Sequence, residues 1–234
     1  MPERPRVIRA VTVDLDDTLF PQSAWLSGAW RAVAAAAGRH GLSETDLLAA
    51  LEDIALEGSD RGRIIDRALE RVGGQGSFVG ELVEAFTTHA PARLETYPGV
   101  LEALARLAEA EVPVAIVTDG NPVIQRAKVA ALGLTSSGLV AALVISDEIG
   151  GRQTRKPHPA AFLEALSRLG RTPGETVHIG DRPEKDCAGA AVAGMRSIRV
   201  LTGEYATRAH PSGCPLPWLT VASFADAVDA ILSE

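Results

Sequence analysis

The sequence predicts an α/β protein: a doubly wound parallel sheet with a small all-helical insert after its first strand. Three observations predict it. From Pro98 onward, short apolar β-branched runs alternate with helix-patterned stretches, the rhythm of a parallel sheet with helices on both faces. Several of those runs end in polar residues on their C-terminal side. Residues 21–92, in contrast, show helical spacing and nothing that alternates like a strand.

The first strand is the run led by Val11 and Val13, which ends in Asp14-Leu15-Asp16-Asp17-Thr18. Alternation along an extended chain sends Asp14 and Asp16 one way and Asp17 the other, where a turn or solvent position is expected. Such a cluster does not serve the stability of a buried strand, because buried charges cost several kcal/mol each unless paired or metal-bound; the plainer reading is a strand leaving the core into a polar turn.

The insert follows. Trp25 to Ala37 is alanine-rich and reads as helix, closing near Gly38 or Gly41. Ser43 before Glu44-Thr45-Asp46 resembles a capping box and starts a second helix to about Leu56. Gly58-Ser59-Asp60 breaks it. Ile64, Ile65, Ala68, Leu69 and Val72 form the stripe of a third helix, and Phe78 to Thr88 a fourth. Trp25 and Trp30 stand at helical spacing and are expected in the core of this unit. Pro91 and Pro98 bracket the return, which divides the chain into a core of residues 1–20 and 93–234 and an insert of 21–92.

In the main body, Val100 to Ala110 reads as helix and Val112 to Val117 as a strand ending in Thr118-Asp119-Gly120-Asn121. Pro122 to Leu132 is helical. Val140 to Ile145 is a strand ending in Ser146-Asp147, and Pro159 to Leu169 a helix closing on Gly170. Thr176 to Ile179 is a strand ending in Gly180-Asp181, with a helix to about Ala193. Ser197 to Leu201 is the last expected strand and Ser223 to Leu232 the last helix. Gly203 to Pro217 reads as the least structured stretch.

Composition narrows the function. The chain has 234 residues, 46% of them hydrophobic, and a net charge of −7, which argues against a nucleic-acid polymer as partner. No apolar run approaches the roughly 18 residues of a membrane span, and Met1 to Arg9 lacks the pattern of a signal peptide. Cys187 and Cys214 make no metal spacing and no disulfide framework, so a reducing cytoplasm is expected. Lys128, Lys156 and Lys185 are the chain's three lysines, against 20 arginines.

Ligands of open parallel sheets bind at the C-terminal edge, where Asp14, Asp16, Thr118, Asp147 and Asp181 fall. Lys156 follows in a stiff Arg-Lys-Pro-His-Pro loop, and Asp186 lies five residues past Asp181. Crowded carboxylates raise one another's pKa, and Mg²⁺ relieves that repulsion with a few carboxylates, water and substrate phosphate. A lysine there suits a phosphate or the nucleophile's carboxylate. A carboxylate nucleophile beside a second, proton-shuttling carboxyl is one route to phosphoryl transfer.

Asp14-Leu15-Asp16-Asp17-Thr18, Thr118 after its strand, Lys156 before Pro-His-Pro, and Gly180-Asp181 with Asp186 resemble the four ordered motifs of the haloacid dehalogenase superfamily of hydrolases. The likeness covers residues 11 to about 201, and the insert is similar to that superfamily's helical cap of the first type, on a Rossmann-like core. The resemblance implies Asp14 as nucleophile and Asp16 as general acid/base. It implies Mg²⁺ on the Asp14 carboxylate, the Asp16 backbone carbonyl and the Asp181 carboxylate, with Asp186 supporting the metal directly or through water. It implies Thr118 and the amides after it, at Asp119 and Gly120, as phosphoryl-binding groups, Lys156 as the neutralising charge, and Thr18 as the residue that orients the first loop.

Alternatives stand beside these roles. Thr118 could instead cap the next helix, Asp186 could serve only that helix's first turn, and Asn121 could be an N-cap or a substrate contact. Arg155 and His158 are expected at the surface, and Asp147 as no more than a strand end.

Departures from the superfamily's patterns select the reaction. A carbon–halogen hydrolase has no use for an acid two residues after the nucleophile, yet Asp16 is present. A phosphonate-cleaving relative needs a cap lysine, and residues 21–92 contain none. A hexose-phosphate mutase typically has glycine where Asp17 stands. The expectation is therefore a Mg²⁺-dependent phosphatase for a small phosphate monoester: a sugar phosphate, a nucleotide or a phosphoglycolate-like compound. A phosphosugar mutase and a non-catalytic phosphoryl- or partner-binding protein are the other readings. Six arginines against ten acids make the insert net negative, which favours a small metabolite over a long polyanion. Closure of such a cap would keep water from the chemistry.

Overall fold

The computed structural model describes residues 8–58 and 62–234. The first seven residues of the expected core and the expected break at Ser59-Asp60 lie outside them. The fold is α/β, with a six-stranded, wholly parallel sheet and a helical insert after the first strand.

The chain divides into two compact units, Met1–Gln22 with Arg93–Glu234 and Ser23–Ala92. The first holds β1 (Ala10–Val13), α5 (Val100–Glu109), β2 (Val114–Thr118), α6 (Pro122–Ala131), β3 (Ala142–Ile145), α7 (Ser146–Gly150), α8 (Ala160–Leu169), β4 (Thr176–Gly180), α9 (Ala188–Val192), β5 (Arg196–Val200), β6 (Leu219–Val221) and α10 (Phe224–Leu232). The strands lie in the order β3-β2-β1-β4-β5-β6. β1, β2 and β4 are buried along their whole lengths, which is why they read as continuous apolar runs rather than as alternating ones. Ala115 and Val117 of β2 pack with Phe162, Ala165 and Leu166 of α8 and with Ala190 of α9. Their neighbours Val114 and Ile116 point the other way and are equally buried, so both faces of β2 are covered.

The register sets the functional edge. Val13 pairs with Ile116 of β2 and with Ile179 of β4, while Thr118 pairs with Ile145 of β3. Asp14 donates its backbone N–H to Ile179 O at 2.9 Å, so Asp14, Thr118 and Asp181 leave their strands at nearly one level.

The second unit is made of α1 (Gln22–Gly38, all but its first residue), α2 (Glu44–Ala55), α3 (Ile64–Arg71) and α4 (Val79–Thr88). Ser43 caps α2 by accepting from Asp46 N at 3.3 Å. Trp30, Val33, Leu47, Leu51, Leu69 and Leu82 fill its core. Trp25 and Trp30 are both buried and meet Phe86, one edge-on at 5.1 Å and the other stacked at 4.8 Å.

Three local features differ from the sequence expectation. β6 went unforeseen because it has only three residues, half-buried at the sheet edge, directly after a proline-rich stretch. Ser146 and Asp147 open the short helix α7 rather than closing β3. Past Asp181 the chain makes a wide π-type turn over Pro183–Cys187 before α9. Cys187 and Cys214 are both free thiols, and no helix among the described residues is long and apolar enough to cross a membrane.

Candidate active site

Asp14 and Asp181 are the first residues beyond β1 and β4, and Asp186 lies in the turn that follows Asp181. All three are buried, and one carboxylate oxygen from each lies within 4.8 Å of the others. Asp181 accepts from Thr18 Oγ1 at 3.4 Å, while its Oδ2 is buried with no hydrogen-bond partner. Burial, with Asp186 and Asp14 nearby, pushes the Asp181 carboxyl up to about 9. Burial likewise pushes Asp14 up to about 7 against the opposing pull of Lys156. A buried carboxylate oxygen without a partner, in an all-oxygen cluster, fits a hard divalent cation such as Mg²⁺.

Lys156 supplies the cluster's cation. Its Nζ donates to Asp14 Oδ1, to Asp186 Oδ1 at 2.7 Å and to Val117 O at 3.3 Å. Burial opposes the ammonium charge, but Asp14, Asp186 and Asp119 outweigh it and hold Lys156 above its ordinary range. Asp186 is fully engaged. Oδ1 meets Lys156 and His178 Nε2, the latter at 3.2 Å, and Oδ2 accepts from Arg182 N at 2.9 Å. Burial disfavours its charge, yet Lys156 and His178 hold the Asp186 carboxyl well below the usual range. An acid serving only a helix's first turn would not be gripped on both oxygens.

The Lys156 loop is fixed from below. Asp119 Oδ1 accepts from Lys156 N at 3.0 Å and from Ser146 Oγ at 2.8 Å, while Lys185 Nζ lies 3.4 Å from Oδ2. Asp147 forks Arg155 through Nε and Nη2, each at 2.6 Å. Asp147 thus does more than end a strand, and Arg155, about one-third exposed at the loop's rim, is held in place by it. The Asp119 side chain is turned into the scaffold, and the Gly120 backbone amide is engaged by the Asp147 carboxylate.

Asp16 stands apart from the triad. Its Oδ1 accepts from Lys128 Nζ at 2.7 Å and its Oδ2 from Gln125 Nε2 at 2.9 Å. The same Gln125 nitrogen donates to Thr118 Oγ1 at 2.5 Å. Thr118 is buried and does not cap α6. Asn121 does, by accepting from Val123 N at 2.9 Å.

Asp17 departs most from expectation. It is in a turn, at φ 57°, but is buried rather than solvated. Gln22 N and Glu204 N donate to its carboxylate at 2.9 and 3.2 Å, and Thr202 Oγ1 donates to its carbonyl at 2.5 Å. Burial still raises the Asp17 carboxyl above its ordinary value. The stretch after Gly203, which sequence reads as the least structured, therefore begins by anchoring the first loop. His158 is exposed, as expected.

Sequence reasoning assigned no role in the site to Gln125, Lys128, Ser146 or His178. The signal for the first two was legible: polar residues three apart on α6, between the buried Ile124 and Val129, with Lys128 one of only three lysines. His178 carried none, being a polar residue within an apolar strand. It is fully buried, with Thr12 Oγ1 3.0 Å from Nδ1 and Phe162 edge-on at 4.8 Å.

Comparison with known proteins places the chain. The family model of the haloacid dehalogenase-like hydrolases matches residues 8–194. A glyceraldehyde 3-phosphate phosphatase of Methanopyrus kandleri is 37% identical over 206 residues, 85% of this chain and 86% of that protein. A 2-haloacid dehalogenase of Pseudomonas syringae superposes with a TM-score of 0.66 at 27% identity, over 97% of this chain and 98% of its own. A magnesium-bound HAD-fold protein of Bacillus subtilis reaches 0.72 at 18% identity, over 97% and 99%.

Proposed function

The chain belongs to the haloacid dehalogenase-like hydrolase family, and we propose that it is a Mg²⁺-dependent phosphatase acting on a small phosphate monoester through a phosphorylated Asp14. The observation that carries the reading is Asp16. A second carboxyl two residues past the nucleophile, tied by Gln125 to Thr118, is what an alcohol leaving group needs and a halide does not. This separates the protein from the dehalogenases that share its fold.

In the proposed reaction Asp14 attacks phosphorus, the bond to the ester oxygen breaks, and that oxygen takes the proton of Asp16 as the alcohol leaves. Asp16 then accepts a proton from water, whose oxygen attacks the Asp14 acyl phosphate. Inorganic phosphate departs and the Asp14 carboxylate is restored. Thr118 and the Asp119 amide hold the phosphoryl oxygens, beside a Gly120 amide that Asp147 engages. Lys156, already on Asp14, neutralises charge during both transfers, and Thr18 keeps Asp181 aligned. Asp14, the Asp16 carbonyl and Asp181, backed by Asp186, would hold Mg²⁺, which when bound supplies charge neutralisation on the transferring group.

For substrate we favour a triose phosphate, glyceraldehyde 3-phosphate first. Support comes from the Methanopyrus phosphatase matched along most of both chains and from the negative charge of the helical unit, which suits a small ester. The test is phosphate release from triose, hexose, nucleoside, serine and glycolate phosphates, with and without Mg²⁺, using Asp14→Asn as the blank. Mg²⁺-dependent release that is greatest for glyceraldehyde 3-phosphate and absent from the blank is expected. A folded enzyme that releases chloride from a 2-haloacid but no phosphate from any ester would overturn it.

A further inference from the structure

α6 brings two long polar side chains back into the core, and both end on one carboxylate. Gln125 and Lys128 are three residues apart on a single helical face, 2% and 3% exposed. The helix is fixed by Pro122 at its first position and by the Asn121 cap, so the two side chains arrive from a rigid support. Such deep burial of a lysine is costly unless the ammonium is paired, and Lys128 is paired with Asp16 Oδ1 at 2.7 Å. It also stands 6.0 Å from the centre of the buried Phe20 ring.

The two oxygens of Asp16 are thereby made unequal. Oδ1 is held by a charge. Oδ2 is held by a neutral amide that shares its nitrogen with Thr118 Oγ1, at 2.9 and 2.5 Å. Oδ2 is therefore the oxygen on the Thr118 side, where the phosphoryl group is proposed to sit. A carboxylate free to rotate would present either oxygen or neither.

We infer that Lys128 and Gln125 are positioning residues: Lys128 pins Oδ1 of Asp16 so that Oδ2 alone exchanges the proton, and Gln125 couples that oxygen to the Thr118 hydroxyl. The inference rests on the phosphatase reading, with Asp16 as its acid and base. The proton leaves Oδ2 for the ester oxygen as the phosphorus–oxygen bond breaks, and Oδ2 receives a proton from the attacking water in the second step. Neither Lys128 nor Gln125 gains or loses a proton. Orientation of a reacting group is worth large factors in rate because misplacement by an ångström is costly.

The experiment uses the full chain with saturating Mg²⁺ and a series of phosphate monoesters from p-nitrophenyl to simple alkyl. The variants are Lys128→Met, Lys128→Arg, Gln125→Met, Asp16→Asn and the double variant Lys128→Met with Asp16→Asn. Lys128→Met should lower kcat on alkyl esters about tenfold more than on p-nitrophenyl phosphate, with KM nearly unchanged, because only poor leaving groups need the proton. Lys128→Arg should restore most of that loss. Gln125→Met should show the same leaving-group bias and also weaken competitive inhibition by inorganic phosphate, since Thr118 loses its partner. In the double variant, Lys128→Met should add nothing to the loss from Asp16→Asn. An equal loss with every leaving group, a KM effect as large as the kcat effect, or a further loss in the double variant would overturn the inference. Should Lys128→Met fail to fold, the Gln125→Met leaving-group bias decides it. A wild-type enzyme that hydrolyses none of the esters would remove the phosphatase reading and this inference with it.

Discussion

A Cβ placed on Gly180 would stand 2.3 Å from the carboxylate carbon of Asp186. The last residue of β4 is glycine because the acid six positions later folds back onto it. The π-type turn of Pro183–Cys187 lets it do so, and Asp186 then reaches Lys156, His178 and Arg182 N at once. Gly180→Ala should therefore displace Asp186, weaken Mg²⁺ binding at least about tenfold and lower turnover with it. Titration calorimetry with Mg²⁺ checks this, and unchanged affinity would show that Asp186 tolerates displacement.

Asp14→Asn should abolish turnover, a loss of about a thousandfold or more, while the Tm stays equal or rises. Burial and the neighbouring Asp186 both disfavour charge on Asp14, and the amide removes that charge while Lys156 keeps Asp186. Retained turnover, measured with the best substrate, would end the assignment of Asp14 as nucleophile.

His178 joins Thr12 to Asp186 beneath the cluster, at 3.0 and 3.2 Å. His178→Leu should leave both partners short of a hydrogen bond and cost about 1–3 kcal/mol of stability. Mg²⁺ affinity should fall as well, because Asp186 loses the contact that aims it. Denaturant unfolding without metal, set beside calorimetric titration, separates the two effects. A loss of stability with unaltered affinity would confine His178 to packing.

The Asp147–Arg155 fork gives a pH dependence with a definite sign. Hydrogen bonds from Arg155 hold the Asp147 carboxyl below its ordinary value of 3.8. Its contribution is therefore present above the unfolded pKa and fades as pH falls through about 4 toward the lower folded value. Arg155 is about one-third exposed, so screening limits the contribution to about 1 kcal/mol. Asp147→Asn should be less stable than wild type by that amount at pH 7, and the gap should narrow as pH falls below about 4. A gap that does not narrow with acid would assign the loss to something other than the charge.

Much of the site was legible along the chain. Each of Asp14, Thr118, Lys156 and Asp181 either ends or follows a buried strand or lies in a loop stiffened by proline, so local pattern placed it. Asp17 was not legible in this way. Its partners at 202 and 204 lie some 185 residues away, and its carboxylate fits only because Gly203, at φ 66°, has no Cβ to strike it. Asp147 and Arg155 looked like a strand end and a loop rim, since neither element reveals by itself that the other's charge is within reach.

The sequence by itself determined the α/β class, the helical insert, the order of the four motifs and the presence of an acid at position 16, on which the proposed chemistry rests. Those are matters of residue type, hydrophobic period and spacing, which one chain carries in full. The tertiary structure alone decided that Lys128 and Gln125 end on Asp16, that His178 and Gly180 aim Asp186, and that Asp147 holds the Lys156 loop through Arg155. Each is a contact between side chains or backbone on different elements, some of them close in sequence. The register of a parallel sheet and the rigid placement of its helices fix such contacts, and no local pattern encodes them.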